Sequence, residues 1–215
     1  MRAAQRDELF RRLAAANPAP QTELEYDSPF QLLAAVILSA QATDRSVNLA
    51  TRTLFRLAPT ARDIAALGEE KVAEHIRTIG LYRSKARHLV AAAQQLAASH
   101  DGEPPHDRAA LEALPGVGRK TANVVLNVLF GEETIAVDTH VFRLANRTGL
   151  APGASVAAVE KKLLRATPAP WRRHAHHWLI LHGRYVCKAR RPCCWRCVIR
   201  DLCAYKDKSD VQPGS

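Results

Sequence analysis

The chain has 215 residues and a mass of 23.7 kDa; 47% of the residues are apolar and 24% are charged. These proportions are typical of a folded globular protein, and they exclude a disordered or fibrous chain. Lysine and arginine number 31 against 21 acidic residues, which gives a formal charge of +10 and favours a polyanionic partner.

Apolar residues recur at helical spacing along nearly the whole chain. After an N-terminal helix, Ser28 and Pro29 begin a buried helix over residues 29–42. Further helices are predicted, between glycines and prolines, over residues 45–57, 69–78, 85–100, 107–113, 119–130, 139–148, 155–166 and 171–185. No strand pair is indicated, so the predicted fold class is all-α. The last ten residues are polar and predict a loose tail.

Neither a membrane anchor nor a secretion signal is indicated. The longest apolar run, Leu32 to Leu38, has seven residues, whereas a bilayer span needs about 20. The N-terminal sequence MRAAQRDELFRR is charged where a secretory signal would be apolar. We therefore expect a cytoplasmic protein without a membrane partner, whose cysteines meet a reducing environment.

The positive charge is concentrated towards the C-terminus. Residues 171–210 contain ten Lys and Arg against three Asp and Glu, a net +7, whereas residues 1–170 carry +3. Such a block attracts nucleic acid, the commonest intracellular polyanion. A solvated basic face is the alternative interpretation.

The string LPGVGRK, residues 114–120, lies between two predicted helices. Gly116 and Gly118 allow a tight turn whose N–H groups point outward, and Val117 fills the gap between the helices. These amides, with Arg119 at the start of the next helix, can bind a phosphate without reading base sequence. The alternative is a plain connection between two helices.

Five cysteines lie within 17 residues, and the rest of the chain has none. Cys187, Cys194, Cys197 and Cys203 show the spacing C-x6-C-x2-C-x5-C, which leaves Cys193 over, although spacing alone does not choose between Cys193 and Cys194. Four thiolates can hold a [4Fe–4S] cluster or a tetrahedral zinc ion. Zinc sites usually have two C-x2-C pairs, and only one is present, so the pattern favours iron and sulfur.

Several strings together resemble the endonuclease III family of DNA repair glycosylases. They are LSAQATD (38–44), TIGLY (78–82), LPGVGRKTANVVL (114–126), VDTHVFR (137–143), HHWLILHGRY (176–185) and the cysteine spacing. The resemblance runs from about residue 5 to residue 206. It implies a helix-hairpin-helix lobe over residues 22–132, and a cluster lobe of residues 1–21 and 133–215 with its [4Fe–4S] loop at 187–203.

The resemblance implies a bacterial-type, nucleoid-associated enzyme of base excision repair. Such an enzyme excises oxidised pyrimidines from double-stranded DNA and cleaves the abasic site by β-elimination through a lysine Schiff base. It makes Lys120 the nucleophile and Asp138 its catalytic partner. Helix position and Arg119 both disfavour the ammonium form of Lys120, as a nucleophile needs. The alternatives are a phosphate contact for Lys120 and a helix N-cap for Asp138.

The same resemblance assigns the ligand-binding residues. It selects Cys187, Cys194, Cys197 and Cys203 as the cluster ligands. It also places Gln41 and Leu81 in the DNA stack when the damaged nucleotide is flipped out. The alternative for Gln41 is a polar position at a helix end, and the alternative for Leu81 is a position in the core. Arg190 and Arg191 are expected to contact phosphates, and no interface between copies is indicated, so we expect a monomer.

Two rival interpretations stay open. A monofunctional adenine glycosylase of the same superfamily shares the hairpin and the cysteine spacing, but it lacks the hairpin lysine and has a further C-terminal domain. The presence of Lys120 and the length of 215 residues oppose it. The other rival is a non-catalytic hairpin module that only binds DNA.

Overall fold

The computed structural model describes residues 1–210, which form ten α-helices and no β-strand. The predicted all-α class is therefore confirmed. The helices are α1 (Ala3–Ala16), α2 (Pro29–Leu38), α3 (Asp44–Leu57), α4 (Ala61–His75), α5 (Tyr82–Ser99), α6 (Arg108–Glu112), α7 (Arg119–Phe130), α8 (Thr139–Thr148), α9 (Val156–Ala166) and α10 (Arg172–Tyr185). Two 3₁₀ turns, Ala169–Trp171 and Cys194–Arg196, complete the set. None of the helices within residues 1–210 is long and apolar enough to span a membrane.

The chain divides into two compact units. One is Thr22–Gly131, which contains α2 to α7, and the other joins Met1–Gln21 to the chain from Glu132 onward. Each unit has its own apolar core. Lys120 belongs to the first unit, and Asp138 and all five cysteines belong to the second.

Helix α2 is the centre of the first unit, as its apolar sequence predicts. The Ser28 side chain accepts a hydrogen bond from the Gln31 amide and Pro29 occupies the first turn, so both start signals act as expected. Nine of its ten residues are buried. It packs against α3, α5 and α7, and α7 carries the hairpin lysine.

The end of α2 was predicted wrongly. The helix stops at Leu38 instead of residue 42, because Ser39 Oγ donates a hydrogen bond back to the Val36 carbonyl oxygen and Gln41 has a φ of 54°. A residue in the left-handed region cannot continue a right-handed helix. Thr43 then caps α3 by accepting a hydrogen bond from the Ser46 amide.

Helix α4 also differs from its prediction over residues 69–78. It begins at Ala61, where Thr60 and Asp63 form a capping box, and it ends at His75. Gly68 has a φ of 80° and kinks the helix from within, whereas the prediction placed this glycine before the helix start. Helix α5 begins at Tyr82, three residues earlier than its apolar pattern predicted.

The core of the second unit is assembled from both ends of its sequence. The ring of Phe10 in α1 lies 6.4 Å from the ring of Trp178 in α10, whose indole N–H donates to the Asn17 carbonyl oxygen at 2.8 Å. Helices α8 and α10 approach closely at Gly183, where an added Cβ would lie 3.0 Å from the His140 carbonyl oxygen. A glycine at this position therefore sets the separation of α8 and α10.

The predicted loose tail is partly wrong. Ser209 Oγ accepts a hydrogen bond from the Cys194 amide and donates one to the Pro192 carbonyl oxygen, and Arg200 pairs with Asp210. These bonds hold residues 206–210 against residues 187–203, which contain all five cysteines and are called the cysteine loop below. The remainder of the predicted tail, residues 211–215, lies outside the described residues.

Candidate functional site

The turn between α6 and α7 has the conformation that its two glycines predict. Gly116 has a φ of 78°, and a Cβ on it would lie 2.8 Å from the Cβ of His88, so no other residue fits without strain. Val117 is 6% exposed within the apolar core, which confirms that it fills the gap between the helices.

Val117 itself does not provide a donor for a ligand. Its amide donates a hydrogen bond to the Leu114 carbonyl oxygen at 3.0 Å, and its side chain is buried. Val117 is also one of the residues predicted to contact DNA, and that contact stays a prediction. Any backbone donors of this turn belong to its other residues.

The amino end of α7 is open to an anion. Gly118 is the N-cap residue, so no side chain caps the helix, and an added Cβ would meet nothing within 4 Å. The first N–H groups of a helix have no intrahelical acceptor, and they carry the positive end of the helix dipole. Arg119 and Lys120 are the first two residues of α7, and both are exposed. This arrangement suits a phosphate group.

Asp138 caps α8, so the structural alternative proposed from sequence is confirmed. Its Oδ1 atom accepts hydrogen bonds from the amides of His140 at 2.9 Å and Val141 at 2.8 Å. Both bonds use one oxygen, and within the described residues Oδ2 accepts none. The carboxylate can therefore hold the helix end and still present an oxygen to a ligand.

The opposite end of α8 is bound to the cysteine loop. Arg143 donates to the carbonyl oxygens of Gly183 at 2.7 Å and Cys187 at 3.0 Å. Arg147 donates to those of Lys188 at 2.7 Å and Ala189 at 2.8 Å. The sequence analysis missed both arginines, although their spacing of four residues on a predicted helix placed them on one face.

Four of the five cysteines surround one cavity. The residues Cys187, Cys194, Cys197 and Cys203 line this cavity together with Leu144, His182 and Ile199 among others, whereas Cys193 is not one of the lining residues. The geometry therefore separates Cys194 from Cys193, which spacing alone could not do. Within residues 1–210, no group of three or more His, Cys, Asp or Glu side chains is arranged to hold a metal ion.

Burial changes the protonation of the groups in this cavity. It raises the pKa of the Cys197 thiol to about 11 and raises the pKa of Cys203 as well. It also lowers the pKa of His182 to about 4, and the Nε2 atom of this residue lies 3.4 Å from Cys197 Sγ. At neutral pH these groups are uncharged unless a cation stabilises the thiolates. Four cysteine side chains around one cavity form a donor set that iron or zinc can use.

The two residues expected to enter the DNA stack share an uncommon backbone conformation. Gln41 has a φ of 54° and Leu81 a φ of 61°, and Asp101 is the one other non-glycine residue in the described chain with positive φ. Leu81 is 64% exposed, so the alternative that placed it in the core is wrong. Gln41 is also exposed. Strained backbone at exposed loop ends is typical of functional positions.

Arg190 and Arg191 are both exposed on the segment between Cys187 and Cys194. The Cys193 amide donates to the Val186 carbonyl oxygen at 2.8 Å, which closes this segment. Together with the carbonyl contacts of Arg147, this bond holds the backbone that carries the two arginines. Two cations on a fixed loop suit sequence-independent contact with phosphates.

Comparison with known proteins places these features in one family. Residues 34–169 match the HhH-GPD superfamily of base excision DNA repair proteins. The chain is 58% identical to endonuclease III of Escherichia coli K12 over 98% of its own length and 100% of that protein. It is 55% identical to endonuclease III of Haemophilus influenzae over 97% and 99% of the two lengths.

Solved structures give the same result. A trapped covalent intermediate of an endonuclease III with DNA has a TM-score of 0.88 and 44% identity, and the match covers 94% of this chain and 96% of that one. A non-covalent endonuclease III–DNA complex has a TM-score of 0.88 and 43% identity, over 94% and 95% of the two chains. A thermostable thymine-DNA glycosylase, at 23% identity and a TM-score of 0.83, shares the fold.

The hairpin geometry predicts opposite effects for its two glycines. Gly116→Ala should lower the free energy of unfolding by roughly 1–3 kcal/mol, because alanine is strained at this φ and meets His88. Gly118→Ser should keep or raise stability, since serine is a good N-cap, but its hydroxyl would compete with a phosphate for the α7 amides. Thermal unfolding and duplex DNA affinity measure the two effects. A Gly118→Ser protein that binds duplex DNA as tightly as the unsubstituted protein would show that these amides do not bind phosphate.

Proposed function

The chain belongs to the endonuclease III family of base excision DNA repair proteins, and we propose that Lys120 and Asp138 carry the chemistry of this DNA glycosylase and AP lyase. The observation that carries the proposal is the amino end of α7, where an uncapped helix start and an exposed lysine occur together. The proposed substrate is duplex DNA that contains an oxidised pyrimidine or an abasic site.

Lys120 acts as the nucleophile. Its amine attacks C1′ of the damaged nucleotide, and the bond from C1′ to the base breaks, so that the base leaves with the bonding electrons and takes up a proton. The sugar ring then opens to a Schiff base, whose iminium acidifies the C2′ proton. Loss of that proton breaks the bond between C3′ and its oxygen and cuts the strand. A trapped covalent endonuclease III–DNA intermediate, solved for a 44% identical chain, supports a covalent bond between protein and DNA.

Asp138 supports the positive charge that develops at C1′ and assists deprotonation of the amine. The free Oδ2 atom suits this role, because Oδ1 is engaged by the two amides of α8. The cap bonds also fix the orientation of the carboxylate. One side chain thus serves both the helix and the reaction.

DNA is held by contacts of two kinds. The amides of Gly116 and Gly118 and the side chain of Arg119 are proposed to bind the backbone near Lys120, and Arg190 and Arg191 to bind phosphates elsewhere. Gln41 and Leu81 are proposed to fill the gap that a flipped nucleotide leaves in the stack. Their exposed, left-handed conformations support that role.

The four cysteines that line the cavity are proposed to hold a [4Fe–4S] cluster. Four thiols can hold one iron each, and the spacing C-x6-C-x2-C-x5-C, with a single C-x2-C pair, favours this cluster over a zinc ion. When bound, the cluster supplies the positive charge that keeps the buried thiols deprotonated, and it cross-links the basic loop. Arg147 donates to Cys187 Sγ at 3.6 Å and therefore adds a hydrogen bond to one ligand. We place the protein in the cytoplasm as a monomer.

Substitution of Asp138 separates its two roles. Asp138→Asn should reduce the rate of base release from a thymine-glycol duplex by roughly 100-fold or more, because the charge at C1′ loses its partner. Its stability should change by less than about 1 kcal/mol, since asparagine is an equally good N-cap. For Asp138→Ala, the free energy of unfolding should fall by about 1 kcal/mol more, because alanine cannot cap the helix.

Single-turnover base release, duplex affinity and thermal unfolding distinguish these outcomes. Asp138→Asn should bind the duplex nearly as well as the unsubstituted protein does. If Asp138→Asn releases the base at the normal rate, Asp138 is a helix cap and the proposed catalytic role is wrong.

Two serine substitutions test the metal centre. Cys197→Ser should lose the visible absorption of the cluster and should lower the iron content and the unfolding temperature, because a buried ligand is removed. Cys193→Ser is the matched control and should keep all three, since Cys193 does not line the cavity. Absorption spectra and elemental analysis after anaerobic purification measure the result. A colourless, zinc-loaded protein would contradict the cluster assignment.

A further inference from the structure

An exposed tryptophan lies within the cysteine loop and takes no part in the chemistry proposed above. Trp195 occupies the 3₁₀ turn Cys194–Arg196, and 37% of its surface is exposed. Tryptophan is highly buried on average because the indole is large and apolar. The turn that carries the indole is held by backbone hydrogen bonds from the Arg196 amide to the Cys193 carbonyl oxygen and from the Cys197 amide to the Cys194 carbonyl oxygen, both at 3.2 Å.

Arg196 connects the indole to a second exposed aromatic residue. Its guanidinium carbon lies over the Trp195 ring, 5.7 Å from the ring centre, and its NH2 atom donates to the Tyr185 carbonyl oxygen at 2.9 Å. Tyr185 is 49% exposed. A cation over the face of an indole is a favourable contact. Trp195 and Arg196 therefore form a preformed surface that is both aromatic and cationic.

The charge around this surface selects the chemistry of its ligand. Lys188, Arg190 and Arg191 are exposed on the same loop, and residues 171–210 carry a net charge of +7. A protein partner that docks by apolar contact needs a contiguous apolar patch, whereas this indole lies against the guanidinium of Arg196 on a basic loop. A nucleobase attached to phosphates matches both features, because its face stacks on the indole and its phosphates meet the cations.

We propose that Trp195 and Arg196 form a second nucleic-acid site, distinct from the hairpin, which stacks an unpaired base of single-stranded DNA. Bases within an intact duplex have both faces covered by their neighbours, so the ligand is a single strand, a flap or a gapped segment. The proposal rests on the proposed function in that the protein binds DNA. It does not depend on the chemistry of Lys120.

A pair of oligonucleotides isolates the stacking contribution. One is oligothymidine, and the other has the same number of phosphates joined by three-carbon spacers, which carry neither a base that could stack nor a deoxyribose that the Lys120 site could bind. The unsubstituted protein should bind oligothymidine about five-fold more tightly or better, which is the effect of one stacked base. Trp195→Leu should lower this preference about five-fold, and Trp195→Phe should keep most of it.

Matched variants separate stacking from charge. Arg191→Gln should weaken binding to both oligonucleotides by the same factor, because both carry the same phosphates. Val198→Ala removes another exposed apolar side chain of the loop and should leave the preference unchanged. Trp195→Leu should retain cleavage of abasic duplexes, so failure of this site and failure of the proposed function give different results.

A measurement on the unsubstituted protein covers the case in which Trp195→Leu disturbs the cluster. An oligonucleotide that contains 5-bromouracil, irradiated in complex with the protein, should crosslink to Trp195. A preference unchanged in a Trp195→Leu protein that keeps its visible absorption would overturn the proposal, as would crosslinks that do not include Trp195.

Discussion

The functional side chains of this protein depend on one property of helices, namely that the first N–H groups of each helix have no partner within it. Helix α7 begins at Gly118, which has no side chain to cap these groups, so they stay available to a phosphate. Helix α8 begins at Asp138, whose carboxylate satisfies two of them. The same backbone requirement therefore provides an anion site beside Lys120 and orients the carboxylate that is proposed to act with it. In both helices the residue at the N-cap position decides whether the first N–H groups are left for a ligand or are bonded within the protein.

The cysteine loop influences Asp138 although it supplies no group to the proposed reaction. The thiols surround a cavity, the loop carbonyls accept hydrogen bonds from Arg143 and Arg147, and both arginines lie on the helix that Asp138 begins. Gly183 lets α8 pack closely on α10, so the helix is held along its length as well as at its end. A metal centre in the cavity would thereby stabilise the position of Asp138, the proposed catalytic carboxylate, through the backbone that it cross-links. This provides a structural reason for a cluster in an enzyme whose proposed chemistry needs no electron transfer.

Local signals in the sequence predicted most of the fold. Ser28 and Pro29 start α2 as expected, and Gly116 makes the tight turn of the hairpin as expected, because such signals act within a few residues. The predicted helix boundaries were wrong where the backbone conformation depends on tertiary packing rather than on neighbouring residues. Nothing in the sequence shows that Gln41 adopts a positive φ and ends α2 early, or that Gly68 kinks α4 instead of preceding it. Cys193 and Cys194 are adjacent and chemically identical, so only the three-dimensional position of Cys194 in the cavity separates them.

The central claim is that the Lys120 amine forms a covalent bond with deoxyribose, and reduction of the Schiff base by borohydride tests it most directly. Borohydride converts the imine into a stable amine, so protein and an abasic duplex become permanently joined. The unsubstituted protein and Lys161→Ala, a control at an exposed lysine of α9, should crosslink equally. Peptide mapping should place the adduct on residue 120, and Lys120→Ala should give no crosslink. A Lys120→Ala protein that crosslinks as readily as the unsubstituted protein would contradict the account.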